Sequence, residues 1–130
     1  MPVRGKLNLK GMEKYLEDLA AAGRDVDAAA GRALAAGGEV ALQGMQRRVP
    51  QDTKNLAEHL ATSQPKKNGN FVYVDVGILQ ADADTARYGN AQEFGTSSMP
   101  AQPYIRPTLA EDKGAISKAM RDSLKEEGLA

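Results

Sequence analysis

Apolar positions recur along the chain in two rhythms. From Met12 the spacing is helical: Met12, Tyr15, Leu16 and Leu19 fall at i, i+3, i+4 and i+7, opposite Glu13, Lys14, Glu17 and Asp18. Gly23 suits the residue after a helix end, and Asp25 suits the N-cap of the next helix. That helix is predicted to be long, from about Val26 to Arg48. Val26, Ala30, Ala33, Gly37, Val40, Gly44 and Arg47 step by three or four, and Leu34, Ala41 and Met45 widen the stripe. Gly31, Gly37, Gly38 and Gly44 lie inside it. Each costs a helix interior about 1 kcal/mol relative to Ala, so an unbroken helix needs an offset. Close backbone approach along the small-residue face would supply it; a break at Gly37-Gly38 is the alternative. Pro50 ends the stretch by pushing Val49 toward extended backbone.

Beyond Pro50, Asp52 or Thr53 can cap a short turn of helix reaching Leu56. A strand is predicted from about His59 to Ser63, followed by a turn over residues 65–70 in which Asn68-Gly69 favours a primed hairpin geometry. The rhythm then changes to two: from Phe71 to Leu79, Val72, Val74, Val76 and Ile78 line one face, with a mixed set on the other. A helix from about Asp84 to Phe94 follows, with Gly95 as its stop. Residues 96–106 form a loop holding Pro100 and Pro103. Pro107 fits the first turn of a last helix, whose stripe is Leu109, Ile116, Ala119, Met120 and Leu124. Residues 1–10 read as an N-terminal arm. The fold class is therefore α+β: a single domain with a small antiparallel sheet packed by one long helix, with additional short helices and a C-terminal helix.

Composition sharpens this picture. The chain has 130 residues, and 42% are hydrophobic. Alanine supplies 21 of them, against 12 Leu, 7 Val and 3 Ile, with no Trp. Such a core is thin unless helices approach closely or other subunits complete it. The absence of Cys excludes a disulfide scaffold, a cysteine metal site and a thiol nucleophile. A single His excludes a histidine-cluster metal site. No apolar run is long enough to cross a membrane, and the first residues lack the apolar core of a signal peptide, so the expected place of synthesis is the cytoplasm. Formal net charge is zero, which argues against sequence-independent nucleic-acid binding as the main role. The zero conceals blocks: +3 over residues 1–10, −3 over 11–28, +3 over 29–70 and −3 over 71–96. Opposite blocks fit together within one chain or across neighbouring copies.

Candidate chemistry is sparse. His59 lies near Glu58 and Ser63, and residues 59 and 63 would share one face of a strand, but no nucleophile elbow surrounds Ser63. A small hydrolase using His59 is one alternative reading. A nucleic-acid-binding module using Arg47, Arg48, Lys66 and Lys67 is another. Asp82 and Asp84 fit helix capping better than metal binding. No phosphate-binding glycine loop and no calcium loop occurs. No catalytic, cofactor or metal residues are assigned.

Three segments carry a more specific signal: Val49-Pro50-Gln51-Asp52-Thr53-Lys54-Asn55-Leu56, then Tyr88-Gly89-Asn90-Ala91-Gln92-Glu93-Phe94-Gly95-Thr96, then Gln102-Pro103-Tyr104-Ile105-Arg106-Pro107-Thr108-Leu109. In order and spacing they resemble a family of small bacteriophage tail components of the head–tail junction, the neck or tail-completion proteins of long-tailed phages. The family pattern is roughly V-P-x-D-T-G-x-L, Y-A-x-x-x-E-F-G-T and P-[FY]-[ILM]-R-P-A-[LIF]. Lys54, Gly89 and Thr108 depart from it, at positions where Gly, Ala and Ala are usual. The resemblance implies a structural virion protein, not an enzyme, without cofactor. It implies a ring, expected to be a hexamer, between head connector and tail terminator or tail tube, with DNA passing through an open channel unrecognised. The motif and interface candidates are Asp52, Thr53, Leu56, Tyr88, Glu93, Phe94, Gly95, Thr96, Pro103, Tyr104, Ile105, Arg106 and Pro107. Tyr104 and Ile105 are either rigidly presented anchors for a neighbour or members of the chain's own core. Arg106 is expected to pair with a carboxylate, Glu93 being the candidate within the chain.

Overall fold

A computed structural model describes residues 3–50, 54–69 and 71–129. In chain order the elements are β1 (Val3–Asn8), α1 (Glu13–Ala21), α2 (Val26–Arg48), α3 (Lys54–His59), β2 (Leu60–Thr62), β3 (Lys66–Asn68), β4 (Phe71–Ile78), α4 (Ala83–Phe94), α5 (Arg106–Glu111) and α6 (Lys113–Leu129). The α+β class holds. Strand β4 is the centre of an antiparallel sheet: β1 pairs along one side of it, and β2 and β3 pair in succession along the other. Asn68 stands opposite Phe71 in the β3–β4 hairpin, so the turn falls one residue later than the expected Asn68-Gly69 pair. Gly69 takes the left-handed φ of +62° that this turn needs.

Three expectations are corrected. The first residues are not a loose arm: Val3–Asn8 is a full strand of the sheet. Its alternation of exposed Arg4, Lys6 and Asn8 with buried Gly5 and Leu7 is the two-residue rhythm of a half-buried strand. His59 closes α3 instead of opening a strand, so β2 is only three residues long. The last helix is two, α5 and α6, joined at Asp112. Asp52 and Thr53, expected to cap α3, lie outside the described residues.

Helix α2 runs unbroken through its four glycines, capped by the Asp25 carboxylate on the Ala28 N–H at 3.1 Å. The glycines explain how so small-sided a helix builds a core. A Cβ at Gly38 would stand 3.2 Å from Thr62 Cγ2 and 3.8 Å from Val74 Cγ2, so this side of α2 lies against the sheet. A Cβ at Gly37 would stand 2.6 Å from Met120 Cγ, and one at Gly44 would meet the Asp112 carboxylate and stand 2.8 Å from Thr108 Cγ2, so the other side lies against α5 and α6. Ala33, Leu34, Ala41 and Met45 are fully buried between these layers, with Val74, Val76 and Ile78 from β4 and Ile116, Met120 and Leu124 from α6. The approach brings dispersion contacts that a larger side chain would prevent, offsetting the helix cost of glycine.

The two tight glycines differ in what they touch. At Gly37 the neighbours are Met120 Cγ and Sδ, in a buried but unbranched side chain that has to shift, and Gly37→Ala adds about 1 kcal/mol of helix propensity against that overpacking, so a smaller loss than at Gly44 is expected. At Gly44 the neighbours are held by Arg48, so Gly44→Ala is expected to lose about 1–3 kcal/mol by overpacking. Thermal melts of the two variants test this; a Gly44 variant as stable as the parent would show that this face is loosely packed.

Candidate functional site

The second and third sequence motifs meet at the end of α4. The Asp82 carboxylate caps that helix, accepting from the Thr85 N–H at 3.1 Å and from its hydroxyl at 2.6 Å. Glycine is required where it stops. Gly95 has φ +78°, and a Cβ there would stand 2.9 Å from the Ala101 nitrogen and 3.1 Å from the Met99 oxygen. The chain then turns back on itself. Thr96 and Met99 exchange backbone hydrogen bonds at 2.8 and 3.3 Å, and the Gln102 N–H donates to the Gln92 carbonyl at 2.7 Å.

This reversal delivers residues 104–106 to the Glu93 carboxylate, which is 1% exposed. Oε1 accepts from the backbone N–H groups of Tyr104 and Ile105, each at 2.8 Å. Oε2 accepts from the Arg106 N–H and from its Nε, each at 2.9 Å. The Arg106 guanidinium also donates to the Glu93 carbonyl and lies 4.7 Å from the Phe94 ring centre. The backbone donors are those at the start of α5, which have no partner within the helix. Ile105, at the N-cap, supplies no capping side chain, so Glu93 caps α5 from another helix. Burial is the largest single influence on Glu93 and raises its pKa. The N–H groups of Ile105, Arg106 and Tyr104, together with the Arg106 side chain, outweigh it and hold the carboxyl below the usual range.

Around this carboxylate the three motifs converge. Tyr104 is fully buried and donates its hydroxyl to the Gly89 carbonyl at 3.0 Å; burial, with the Glu93 charge nearby, pushes its phenol pKa up. A Cβ at Gly89 would stand 3.0 Å from that hydroxyl and 3.4 Å from Leu56 Cδ2, so the departure from Ala at this position matches a crowded spot. Thr108, the departure in the third motif, donates to the Tyr104 carbonyl at 2.7 Å and accepts from Arg48 Nη1 at 3.1 Å. Arg48 grips Asp112 with both terminal nitrogens, at 2.8 and 3.1 Å, and reaches Glu111 at 3.0 Å. Hydrogen bonding from Arg48 is the largest influence on Asp112 and holds its pKa below the usual range.

The candidate residues therefore divide. Leu56, Tyr104 and Ile105 belong to the chain's own core, at 0%, 0% and 4% exposure, so of the two readings of Tyr104 and Ile105 the structure takes the inward one. Pro103 and Pro107 are half-buried beside them. Glu93 and Gly95 shape the turn. Phe94, Tyr88, Thr96 and Arg106 are exposed, and Phe94 and Tyr88 are the large exposed hydrophobics among the described residues, at 58% and 38%.

The alternative chemistries fare differently. A groove of about 600 Å³ on the outer face of the sheet is lined by residues including His59, Glu58, Ser63, Asp75, Arg4 and Lys66. It does gather the suspected catalytic types. Ser63, however, donates its hydroxyl to the Gln64 carbonyl at 3.0 Å and accepts from the Asp75 N–H at 2.9 Å, which makes it a turn residue. Asp75 faces Lys66 at 3.2 Å and Arg4 at 3.8 Å. The basic pairs are also engaged: Arg47 and Arg48 with Asp112, Lys66 with Asp75 and Lys67 with Asp27. Among the described residues no group of acidic and histidine side chains is arranged to hold a metal ion, and no helix is long and apolar enough to cross a membrane.

A protein-family model described as "Bacteriophage HK97-gp10, putative tail-component" matches residues 10–95. The chain belongs to this HK97-gp10-like family. The matched span holds the first motif and the second as far as Gly95; the third lies beyond it and is tied to the second by the Glu93 carboxylate. Membership makes the protein a bacteriophage tail component, of a structural family whose members work among other virion proteins. No curated protein and no solved structure matches the chain.

Glu93 gives this tail component a testable acid sensitivity. A carboxylate whose pKa is lower folded than unfolded adds stability that is complete above its unfolded pKa. That stability is lost as pH falls through the folded value. Melting temperature should therefore drop below about pH 4.3, and Glu93→Gln should flatten this limb. Glu93→Ala leaves buried backbone donors unpaired and is expected to cost at least about 3 kcal/mol. Arg106→Ala leaves the carboxylate its backbone donors, and Arg106 is more than half exposed, so it should cost only about 1 kcal/mol. Equal losses in the two variants, read by denaturant titration, would show that the ion pair and not the capping holds the turn.

Proposed function

We propose that this protein assembles as a ring, expected to be a hexamer, in the phage neck between the head connector and the tail terminator or tail tube. DNA would pass through its open channel without sequence recognition. The observation that carries this reading is the placement of Phe94 and Tyr88. Both are large, exposed and apolar, on a helix whose end is fixed by the buried Glu93 network. Tyr88 lines a groove of about 480 Å³ with Ala91, Gly95 and Thr96, next to the turn at 96–99. Aromatic side chains on a rigid support lose little freedom on docking, and such residues dominate interface energetics. The loop at 96–106 contributes to the contact through its exposed first half, Thr96, Ser97 and Ser98, while its second half serves the core. Synthesis in the host cytoplasm and incorporation into the virion follow from this role, and no enzymatic step is needed for it.

The test is native mass spectrometry of the purified protein together with incorporation into tailed particles. The parent should form a closed oligomer, alone or on its neighbouring ring. Phe94→Glu and Tyr88→Glu should melt within a few degrees of the parent yet fail to assemble. Lys118→Glu, remote from α4 in sequence and on the exposed side of α6, should incorporate normally. Normal incorporation of both aromatic variants would remove α4 from the interface.

A further inference from the structure

A second surface is unaccounted for by that reading. Strand β1 is the end of the sheet and, among the described residues, pairs only with β4. Alternate N–H and C=O groups of such an edge point away from their single neighbour, open to another chain. At Gly5 the inner face of the strand is closed by Leu109, whose Cδ1 would stand 2.6 Å from an added Cβ. Further along, from Lys6 to Asn8, a groove of about 430 Å³ opens between the strand and α6. Its apolar lining includes Leu7, Leu109 and Ile116, and its rim carries Lys6, Lys10 and Lys113. No carboxylate lines it. None of the three lysines forms an ion pair among the described residues. Lys6 instead rests over the Tyr73 ring at 4.4 Å, and Lys10 acts on Glu13 only at longer range.

We infer that this edge and groove receive an extended segment of another protein, in which apolar side chains alternate with carboxylates. The backbone of the segment would continue the sheet beside β1. Alternate side chains on one face would enter the groove between Lys10 and Lys113, and those on the other would meet Lys6 on the outer face of the sheet. Charge selects the occupant, because three lysines around a groove that no carboxylate lines favour an acidic strand and repel a basic one. A second copy of this chain does not fit. Its exposed non-helical stretch at 96–102 contains no carboxylate, the one at 62–68 carries Lys66 and Lys67, and the one at 79–82 holds a single carboxylate, Asp82, which is occupied in capping α4. The inference goes beyond the ring reading, since it concerns a different face and a different partner.

Lysines at an edge also serve to repel strands in general, and the experiment separates the two roles. The probe is an acetylated, amidated octapeptide alternating valine and glutamate, titrated into isotope-labelled full-length protein, with the valine–lysine peptide as control. Backbone amide shifts are expected at residues 6–10 and 113–120, with affinity roughly tenfold or more tighter for the glutamate peptide. The double variant Lys10→Glu with Lys113→Glu should keep its melting temperature and lose most of that affinity. No response to the glutamate peptide, an equal response to both peptides, shifts centred elsewhere, or undiminished binding by the double variant would each overturn the inference. So would concentration-dependent protection of the β1 amides without peptide, which would place a second copy there. Running the titration also on the Phe94→Glu variant keeps its outcome independent of ring formation.

Discussion

A single buried carboxylate organises the end of this molecule. Glu93 sits at the last turn of α4, out of solvent, where an unpaired charge would be untenable. It is tenable because a segment eleven to thirteen residues further along the chain brings backbone donors and a guanidinium to it. The dependence is mutual. The first turn of α5 has donors that no side chain at its own N-cap satisfies, and the reversal at Gly95 exists to close the distance. Polar networks of this kind are stable when every member is satisfied and costly when one is missing. They therefore fix one geometry where apolar packing alone would accept several.

That geometry reaches the rest of the fold through Tyr104 and Thr108. Tyr104 carries the network into the core by bonding to Gly89, beside Leu56. Thr108 carries it to Arg48, the last residue of α2. Helix α2 is consequently tied at both ends of its contact with the C-terminal helices. Arg48 grips Asp112 at the join of α5 and α6, and Arg32 forks onto Glu127 near the end of α6. Between those pairs lie Gly37 and Gly44, where the helices come close. An alanine-rich core supplies little hydrophobic area per residue, and polar clamps at the two ends hold the small residues in register.

The sequence carried much of this, unevenly. The long helix, the strand at 71–78 and the stop at Gly95 were legible because each has a strong period or a residue type with one conformational use. The pairing of Arg106 with Glu93 was legible as well, from two motifs with complementary charge. What was missed has physical reasons. The pattern of Gly5, Leu7 and Leu9 against Arg4, Lys6 and Asn8 is a strand signal, but it is short and charged, and its pairing partner lies some seventy residues away in a register that local spacing does not contain. The division of the last helix at Asp112 has no local signal, since the group beside it is Arg48, contributed from across the fold. The inward direction of Tyr104 was undecidable from sequence: proline-flanked aromatics look alike whether they face a neighbour or the core. The Gly89 carbonyl, which accepts its hydroxyl, tips the balance inward.

Burying Tyr104 has a consequence for the surface. The third motif places an aromatic and an aliphatic side chain between prolines, yet both are consumed internally, in the turn that fixes α4. The residues left outside by the same turn are Phe94 and, one helical stretch earlier, Tyr88. A motif can thus shape a surface without being part of it, by setting the helix that presents the exposed residues. In a chain of zero net charge, long-range attraction between whole copies is weak. Association must rest on local complementarity at defined patches, and such patches need rigid supports. The Glu93 turn supports the end of α4 that carries Phe94, while the sheet supports the basic edge at β1 from the opposite end of the sequence. Both surfaces lie on elements held by long-range contacts, so each is presented on a rigid support in a small domain with a thin core.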